Sequence, residues 1–577
     1  MEAKAANSWL KTTETSESKI EKTTARFIAE TLKGYGITHV FYVDAILRRA
    51  LVEMESLGIH KILTHSEKAA AYMADGFSRV SRGPSVCMAQ SVGAANLAAG
   101  LQDSYLGHSS VLAITGRKPP LFQYRNAYQE INHDPMFESV TKYHANISDP
   151  KQLSFLLRQA LRETTSGKPG PAHLDVFGNL GDEISMVKGD FRTIIEEPFK
   201  QSPPLRIRPE QKSVVAVAEL LREAKRPVIV AGGGVKASGA ETEIVKLAEL
   251  LSIPVATSVT GKGSIVETHP LSVGAVGSYS RWCANRVVSE ADVVLFVGSQ
   301  TGDQVSCDWR IPPMGTSVIQ IDIDPSELGR NYPNTVGLLG DARETVGMII
   351  ECFDGTVERP QWINRIQELV RDWQEELAPL RNSDAMPIRP ERLCKEITDC
   401  LPQNAILVAD TGHAAIWTGT MVYITNSKQT YMRAAGSLGW GFPAALGAKC
   451  AAPERPVVCF TGDAGFWYHL SELETALRYG IKTVTIVNNN YGIGQCVPGI
   501  KAAYGETEGK KEEMYQFSDV SFAKIANEIG CLGIRVDRPE EIAGAINQAL
   551  ESSLPAVVEV ITDMNCVSPK PWIPPIA

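Results

Sequence analysis

The stretch Pro456–Glu472, PVVCFTGDAGFWYHLSE, reads as a buried strand that stops at Gly462-Asp463-Ala464-Gly465 and turns into a helix. One helix later, Thr483–Gly494, TVTIVNNNYGIG, reads as a second apolar strand, and it ends in three asparagines. In parallel α/β sheets, ligands bind beyond the carboxyl ends of strands, where loops and helix N-termini converge. The turn at Ala464-Gly465 leads into a helix whose free N–H groups favour anions. A right-handed crossover places the two strands next to or near each other. The Asp463 carboxylate, the Asn490 amide oxygen and a nearby backbone carbonyl are hard oxygen ligands. They suit Mg²⁺ or Ca²⁺, with positions left for phosphate oxygens and water. A helix N-cap and a turn would account for either residue alone. Together the two strand ends describe a metal-bridged diphosphate.

The rest of the chain supplies the frame. Its 577 residues, with 44% hydrophobic and 21% charged side chains, have the composition of an ordinary globular protein of several domains. A net charge of −9 argues against a nucleic-acid or anionic-membrane surface as partner. The start, MEAKAANSWLKTTETSESK, has no apolar core of a secretory signal, and no apolar run approaches the ~20 residues of a membrane span. The eleven cysteines form no CxxC pair, so neither a zinc site nor a disulfide framework is suggested. The expectation is a reduced, cytoplasmic protein.

Two proline-rich, charged joints, Glu196–Glu210 and Leu377–Glu391, separate three segments. They predict domains over 19–190, 205–355 and 385–565. Each is expected to be a doubly wound α/β domain, because helices alternate with continuously apolar strands such as PVIVAGGG and ADVVLFVGS. The first and third segments echo each other. SVGAANLAAGLQDS (Ser91–Ser104) and SLGWGFPAALGAKC (Ser437–Cys450) both open on small residues, and each precedes a strand ending in Thr-Gly, at Thr115-Gly116 and Thr461-Gly462.

The GDAG motif followed about 27 residues later by NN resembles the signature of thiamine-diphosphate enzymes, and the similarity extends along nearly the whole chain. THSEKAAAYMADGFSRVSRG (Thr64–Gly83) is similar to the family segment that bears the activating glutamate. AYQEINHDPMFESVTKY (Ala127–Tyr143) resembles the FQE…TK stretch of acetolactate synthases, and GSLGWGFPAALGAK (Gly436–Lys449) resembles the segment that bends the cofactor. The resemblance implies the domain order pyrimidine-binding, central, diphosphate-binding. It implies that Glu67 bonds the pyrimidine ring and promotes loss of the thiazolium C2 proton. Leu438 would press under the cofactor, the Gly436 carbonyl would accept from its amino group, and Gly412 and His413 would reach the diphosphate. Gly462, Asp463, Ala464, Gly465, Asn490, Gly492 and Ile493 would complete the cofactor site, with Asp463, Asn490 and the Gly492 carbonyl on Mg²⁺. In this family the glutamate and the metal motif of one site come from different subunits, which implies at least a homodimer; a homotetramer is expected.

The reaction is read from departures. Gln129 matches the FQE glutamine of acetolactate synthases and could bond a substrate oxygen. The loop that reads P-G-G in that group reads Asp44-Ala45-Ile46 here. The P-K-D turn reads VFGNL (Val176–Leu180), and Gln300 and Gln304 stand where arginines are usual. Loss of these cations weakens selection of a second 2-oxo acid and favours a neutral carbonyl acceptor. Gln495 and Cys496 replace the pocket glutamate of simple decarboxylases, so carboligation is favoured over aldehyde release. His65, His108 and His133 are left as structural residues or a relay.

The central GGGVKASG and IDIDP turns are compatible with a flavin site, or with ADP or no ligand at all. The expectation is a thiamine-diphosphate and Mg²⁺ enzyme, with FAD as an option in the central domain. It would decarboxylate a small 2-oxo acid such as pyruvate and transfer the acyl unit to an aldehyde or ketone. The alternatives are a lyase acting on a 1,2-diketone, 2-hydroxyketone or 2-hydroxyacyl-thioester, and a non-catalytic flavin- or nucleotide-binding regulator. Ile46, Gln495 and Cys496 are the expected substrate-pocket residues.

Overall fold

The computed structural model describes residues 10–12, 21–177, 182–333 and 335–575. Most of the polar N-terminal stretch and residues 178–180 of the VFGNL turn therefore lie outside the described residues. Three six-stranded sheets carry the architecture, and within each of them every neighbouring pair is parallel.

The first sheet contains β1 (His39–Tyr42), β2 (His60–Leu63), β3 (Ser85–Gln90), β4 (Val111–Arg117), β5 (Tyr143–Ile147) and β6 (Ala172–Phe177), in the order 2-1-3-4-6-5. The second contains β7 (Pro227–Ala231), β8 (Val255–Thr257), β9 (Ser272–Ala275), β10 (Val293–Val297), β11 (Ser317–Asp322) and β12 (Thr335–Leu339), in the order 9-8-7-10-11-12. The third contains β13 (Ile406–Ala409), β14 (Thr430–Arg433), β15 (Val457–Gly462), β16 (Val484–Asn489), β17 (Leu532–Val536) and β18 (Ala556–Ile561), in the order 14-13-15-16-18-17.

Renumbered from its own first strand, the third sheet has the same order as the first. The echo between the two segments is therefore one of topology as well as of composition. The central sheet instead has the 3-2-1-4-5-6 order of dinucleotide-binding folds. Its strands β7 and β10 are buried at every position, as runs of Val, Ile, Leu and Phe covered on both faces must be.

The chain packs as two units. One gathers residues up to Leu205 with Ala434–Glu454 and His469–Thr483; the other holds Arg206–Arg433, Arg455–Tyr468 and Val484–Ala577. In the first unit three helices cross at small residues: α1 (Glu67–Ser81), α2 (Gly93–Leu106) and α4 (Gly441–Ala451). A Cβ on Gly76 would collide with the Ala444 carbonyl, and one on Gly447 would collide with the Met73 carbonyl. The contact is reciprocal, glycine of each helix against backbone of the other. On the far side of α1, a Cβ on Gly100 would lie 2.6 Å from the Ala71 methyl. Helical glycine costs about 1 kcal/mol relative to alanine, so these three glycines are retained for the approach they permit. Asp75 fastens the same crossing, accepting from Trp440 Nε1 at 2.8 Å and pairing with Arg79 at 2.8 Å.

In the second unit a buried ion triad ties the central sheet to the third. Glu267 accepts from Lys262 Nζ at 2.6 Å, from Arg281 at 2.8 Å and from the Ile424 backbone N–H at 2.7 Å. Lys262 and Arg281 also donate to the carbonyls of Gly419 and Thr420. Burial pulls the Lys262 ammonium down to about 8, Glu267 opposing. Burial likewise opposes the Glu267 charge, but Lys262 and Arg281 outweigh it and hold the carboxyl below its usual range.

Two consequences are measurable. Gly447→Ala should cost about 2 kcal/mol or more by overpacking, whereas Gly544→Ala, at a helical glycine with open space around it, should be neutral or gain up to about 1 kcal/mol. Thermal or denaturant unfolding of the two variants reads the difference. Glu267→Gln leaves two buried cations underpaired and should cost about 3 kcal/mol, read as earlier unfolding by a probe placed in the second unit.

Candidate functional site

The strand order of the third sheet reverses between β13 and β15, which puts its topological switch point at the carboxyl ends of those two parallel strands. Asp410 follows β13, and its carboxylate accepts from the Thr461 hydroxyl at 3.0 Å and from the Thr411 N–H at 2.7 Å. Gly412 comes next with φ +67, a left-handed conformation that favours glycine, and a Cβ there would lie 2.7 Å from Gln495 Oε1. His413 opens α3 (His413–Met421), and burial lowers its imidazole to about 4.

At the end of β15, Gly462 is extended and Asp463 is the first residue of the short helix Asp463–Trp467. Asp463 is buried. Its Oδ1 accepts from the Ala464 N–H at 2.9 Å, and its Oδ2 accepts from the Gly492 N–H at 2.7 Å. The second bond crosses from β15 to the loop after β16 and draws Asp463 and the asparagine loop together. Burial pushes the Asp463 carboxyl up to about 7, with backbone donors, Ala464 and Gly492 foremost, pulling it back. A Cβ on Gly465 would meet Asp410 Oδ2 at 2.7 Å and Thr461 Oγ1 at 2.8 Å, so the turn closes directly on the neighbouring strand end.

The last two of the three asparagines divide their work. Asn489 is tied down, donating to Glu559 Oε1 at 2.8 Å while its Oδ1 accepts from the Tyr491 N–H at 3.0 Å. Asn490 is different: its Oδ1 is buried and has no hydrogen-bond partner among the described residues. Tyr491 takes φ +62, which turns the chain so that Gly492 can reach Asp463. A Cβ on Gly492 would collide with the Tyr515 carbonyl, and one on Gly494 would lie 2.7 Å from Asn490 Nδ2. Ile493 is half-buried beside this loop, and Gln495 and Cys496 are exposed at its end.

This donor set suits a divalent cation bridging to phosphate. It offers a buried carboxylate made costly by desolvation, an amide oxygen with an unfilled acceptor site, and glycines that leave backbone accessible. Thus the structure gathers Gly412, His413, Gly462, Asp463, Ala464, Gly465, Asn490, Gly492 and Ile493 at adjoining strand ends of the second unit. Asp410, which sequence reasoning passed over, anchors that cluster; the signal was a carboxylate ending the apolar strand AILVAD.

The remaining candidates belong to the first unit. Glu67 is the first residue of α1, whose N-cap Ser66 accepts from the Ala69 N–H at 3.1 Å. Glu67 is half-buried, accepts from Asn96 Nδ2 at 3.1 Å, and packs so closely on Gly93 that a Cβ there would strike its Oε1. Gly436 and Leu438 lie in the turn before α4. The N–H groups of Ala435, Gly436 and Ser437 all donate to the buried Asp103 carboxylate, at 2.9, 3.2 and 3.0 Å, and Arg79 pairs with the same group at 3.1 Å. Burial raises the Asp103 carboxyl despite the Arg79 charge. Nothing within the Ala-rich α2 marked Asp103 as the residue that holds this turn.

Gln129 is half-buried with φ +62; its Oε1 accepts from Gln90 Nε2 at 3.0 Å. Ile46 is fully buried in the apolar core of the first sheet, between Ala45 at φ +82 and Leu47 at φ +45. His65 pairs with Glu474 at 2.8 Å, and His108 occupies a left-handed turn at φ +55. Gln300 donates to Glu327 at 3.1 Å. No helix of the described residues is long and apolar enough to cross a membrane.

Three family models match in succession: the N-terminal TPP binding domain of thiamine pyrophosphate enzymes over residues 22–136, their central domain over 214–349, and their C-terminal TPP binding domain over 410–560. The "Probable acetolactate synthase large subunit" of Methanocaldococcus jannaschii is 33% identical over 530 residues, which cover 89% of this chain and 87% of that protein. The protein of the same description from Methanococcus aeolicus is 32% identical, covering 87% of this chain and 85% of its own. The acetolactate synthase large subunit of Cyanidium caldarium is 28% identical, covering 89% and 88%. Each match falls on one of the three sheets: 22–136 takes in β1–β4, 214–349 takes in β7–β12, and 410–560 takes in β14–β17 and most of β18, with Asp463 and Asn490 inside it. The chain belongs to the thiamine-diphosphate-dependent enzymes, in the acetolactate-synthase-like group.

Proposed function

We infer that the protein decarboxylates a small 2-oxo acid, pyruvate in the first instance, and transfers the acyl unit to an aldehyde or ketone acceptor. The observation that carries the reading is the unfilled Asn490 Oδ1 beside buried Asp463, a hard-oxygen pair at a switch point built for a diphosphate. The names of the relatives supply the reaction class. The segments 19–190, 205–355 and 385–565 are the pyrimidine-binding, central and diphosphate-binding domains in this reading.

Asp463, Asn490 and the Gly492 carbonyl hold Mg²⁺, and Gly412, His413, Gly462, Ala464, Gly465 and Ile493 flank the diphosphate. When bound, thiamine diphosphate would supply nucleophilic addition to a carbonyl and an electron sink for decarboxylation. Glu67 bonds the pyrimidine ring and holds the proton that favours its imino form. The Asp103-anchored turn presents the Gly436 carbonyl to the pyrimidine amino group and Leu438 to the space beneath the cofactor. Gln129 bonds a substrate oxygen, and Gln495, Cys496 and the segment around Ile46 shape the rest of the pocket. Because one site draws Glu67 and Asp463 from different copies, the active species is a homodimer or a homotetramer. In this reading the central domain holds FAD, ADP or no ligand, and the colour of the purified protein reads out the flavin. A cytoplasmic location belongs to the same reading.

A lyase acting on a 1,2-diketone, 2-hydroxyketone or 2-hydroxyacyl-thioester is the second reading. It is favoured by Gln300 and Gln304 at positions where carboxylate-binding arginines are usual; the Gln300 amide is itself bonded to Glu327.

With thiamine diphosphate and Mg²⁺ present, the wild type should release CO₂ from pyruvate. Glu67→Gln should lower that rate by about 100-fold or more while calorimetry shows cofactor still bound. Asn490→Ala should instead raise the Mg²⁺ concentration needed for cofactor binding by about 10-fold or more. Mass spectrometry of products from a panel of donors and acceptors separates carboligase from lyase. No CO₂ from any 2-oxo acid, with cofactor bound, would sink the decarboxylase reading.

A further inference from the structure

The first unit contains a buried polar array that the chemistry above leaves unused. Three adjacent strands supply it: Thr115 on β4, His173 and Asp175 on β6, and His144 on β5. His133 and Asp134 join from the segment that follows Gln129. The side chains of Thr115, His133, His173 and Asp175 are fully buried. Four polar side chains in one apolar layer cost stability unless every donor and acceptor is matched.

The matching is nearly complete and it has a direction. Asp134 Oδ1 lies 2.9 Å from His144 Nε2, and His144 Nδ1 lies 2.9 Å from His173 Nδ1. His173 Nε2 is 2.6 Å from the Thr115 hydroxyl, which gives its single hydrogen to Asp175 Oδ1 at 2.9 Å. His173 must therefore be the donor to Thr115. Asp175 Oδ2 lies 3.0 Å from His133 Nδ1, with Arg117 Nε at 3.1 Å on the same oxygen. Phe137 stacks on His173 with centroids 3.5 Å apart, fixing that ring's plane. Burial, with the His144, His133 and Arg117 charges adding to it, pushes the His173 imidazole well below its ordinary range, in keeping with a neutral ring at the centre of the array.

The array ends where His133 Nε2 donates to the Ser91 carbonyl at 3.1 Å. A carbonyl has no proton to pass on, so the array is a brace rather than a proton wire. What it braces is specific. Ser91 sits at φ +22, its carbonyl also accepts from the Ala94 N–H, and its hydroxyl donates to the Gln129 carbonyl. Gln129 sits at φ +62 with its side chain bonded by Gln90, the residue before Ser91. Two non-glycine residues in left-handed backbone are each strained by about 1 kcal/mol or more, and such strain persists only where surroundings over-determine it.

The geometry points to His133 as a positioning residue for the reaction: through the Ser91 turn it fixes the backbone of Gln129 and thereby the aim of the Gln129 side chain at the substrate. The inference rests on the role given to Gln129 under Proposed function. His133 touches neither substrate nor cofactor.

The test uses the holoenzyme with pyruvate as donor and four variants. Gln129→Ala measures the side chain itself. His133→Ala removes the brace, His133→Gln keeps an N–H that reaches the Ser91 carbonyl, and Ser91→Ala removes the hydroxyl that holds Gln129 without emptying the core. His133→Ala and Ser91→Ala should each raise KM for pyruvate about 10-fold, with cofactor affinity measured by calorimetry unchanged. His133→Gln should return to within about 3-fold of wild type, and His133→Ala combined with Gln129→Ala should be no worse than Gln129→Ala alone. Should His133→Ala fail to fold, Ser91→Ala and His133→Gln carry the test. A purely structural role would lower Tm with KM unmoved, or give effects that multiply in the double variant, and either result overturns the inference. If Gln129→Ala itself leaves KM and kcat unchanged, the role of Gln129 falls and this inference falls with it, whereas a Gln129 effect without a His133 or Ser91 effect overturns this inference alone.

Discussion

The crossing of α1 over α2 and α4 is the constraint on which the first unit depends. Gly76 and Gly447 each lie against the other helix's backbone, so neither helix can slide or rotate without a carbonyl meeting a Cα. That locks the last turns of α1, through Asp75 and Arg79, against the start of α4 and the turn before it, where Gly436 and Leu438 stand. Asp103 and Asp75 complete the lock with charge: one carboxylate gathers three backbone N–H groups, the other an indole and a guanidinium. Close backbone packing gives the precision, and the buried carboxylates forbid alternatives, because any slip would leave a charge unpaired.

The second unit solves a different problem. A cation and a diphosphate need several oxygen acceptors facing one place, and an empty cluster of acceptors repels itself. The fold offsets this with backbone donors. The N–H groups of Ala464 and Gly492 engage the two oxygens of Asp463, and Asp410 is satisfied by Thr411 and Thr461. Asn490, an uncharged acceptor, is one of the positions at this strand end at which the protein tolerates an unmet lone pair, Asn488 being another.

Legibility in the sequence followed the range of the interaction. The strand ends at Asp463 and Asn490 could be read because each is a local pattern: an apolar run, then glycine and a polar ligand. Three parallel sheets were readable for the same reason, and so was the echo of first and third segments, although shared strand order is more than composition can reveal. Asp103 was invisible, since its partners at 435–437 are more than 300 positions away. The histidine array was equally opaque, because β4, β5 and β6 align His144, His173 and Asp175 only once the sheet is paired. Backbone strain carried no signal in residue type. Ala45, Ser91 and Gln129 adopt conformations that sequence reasoning reserves for glycine, and only the surrounding hydrogen bonds and packing explain why.

The composition of the first unit bears on how the protein is made. Its core helix α1 ends at Ser81, but α4, which supplies the opposing backbone, begins at Gly441, roughly 360 residues later. At ribosomal speeds of about 5–20 residues per second, the small-residue face of α1 waits on the order of half a minute for its partner. A nascent chain of this protein therefore carries an apolar, alanine-lined helix face through most of its synthesis. The stretch of biogenesis between those two helices is when the protein depends most on being kept from its neighbours.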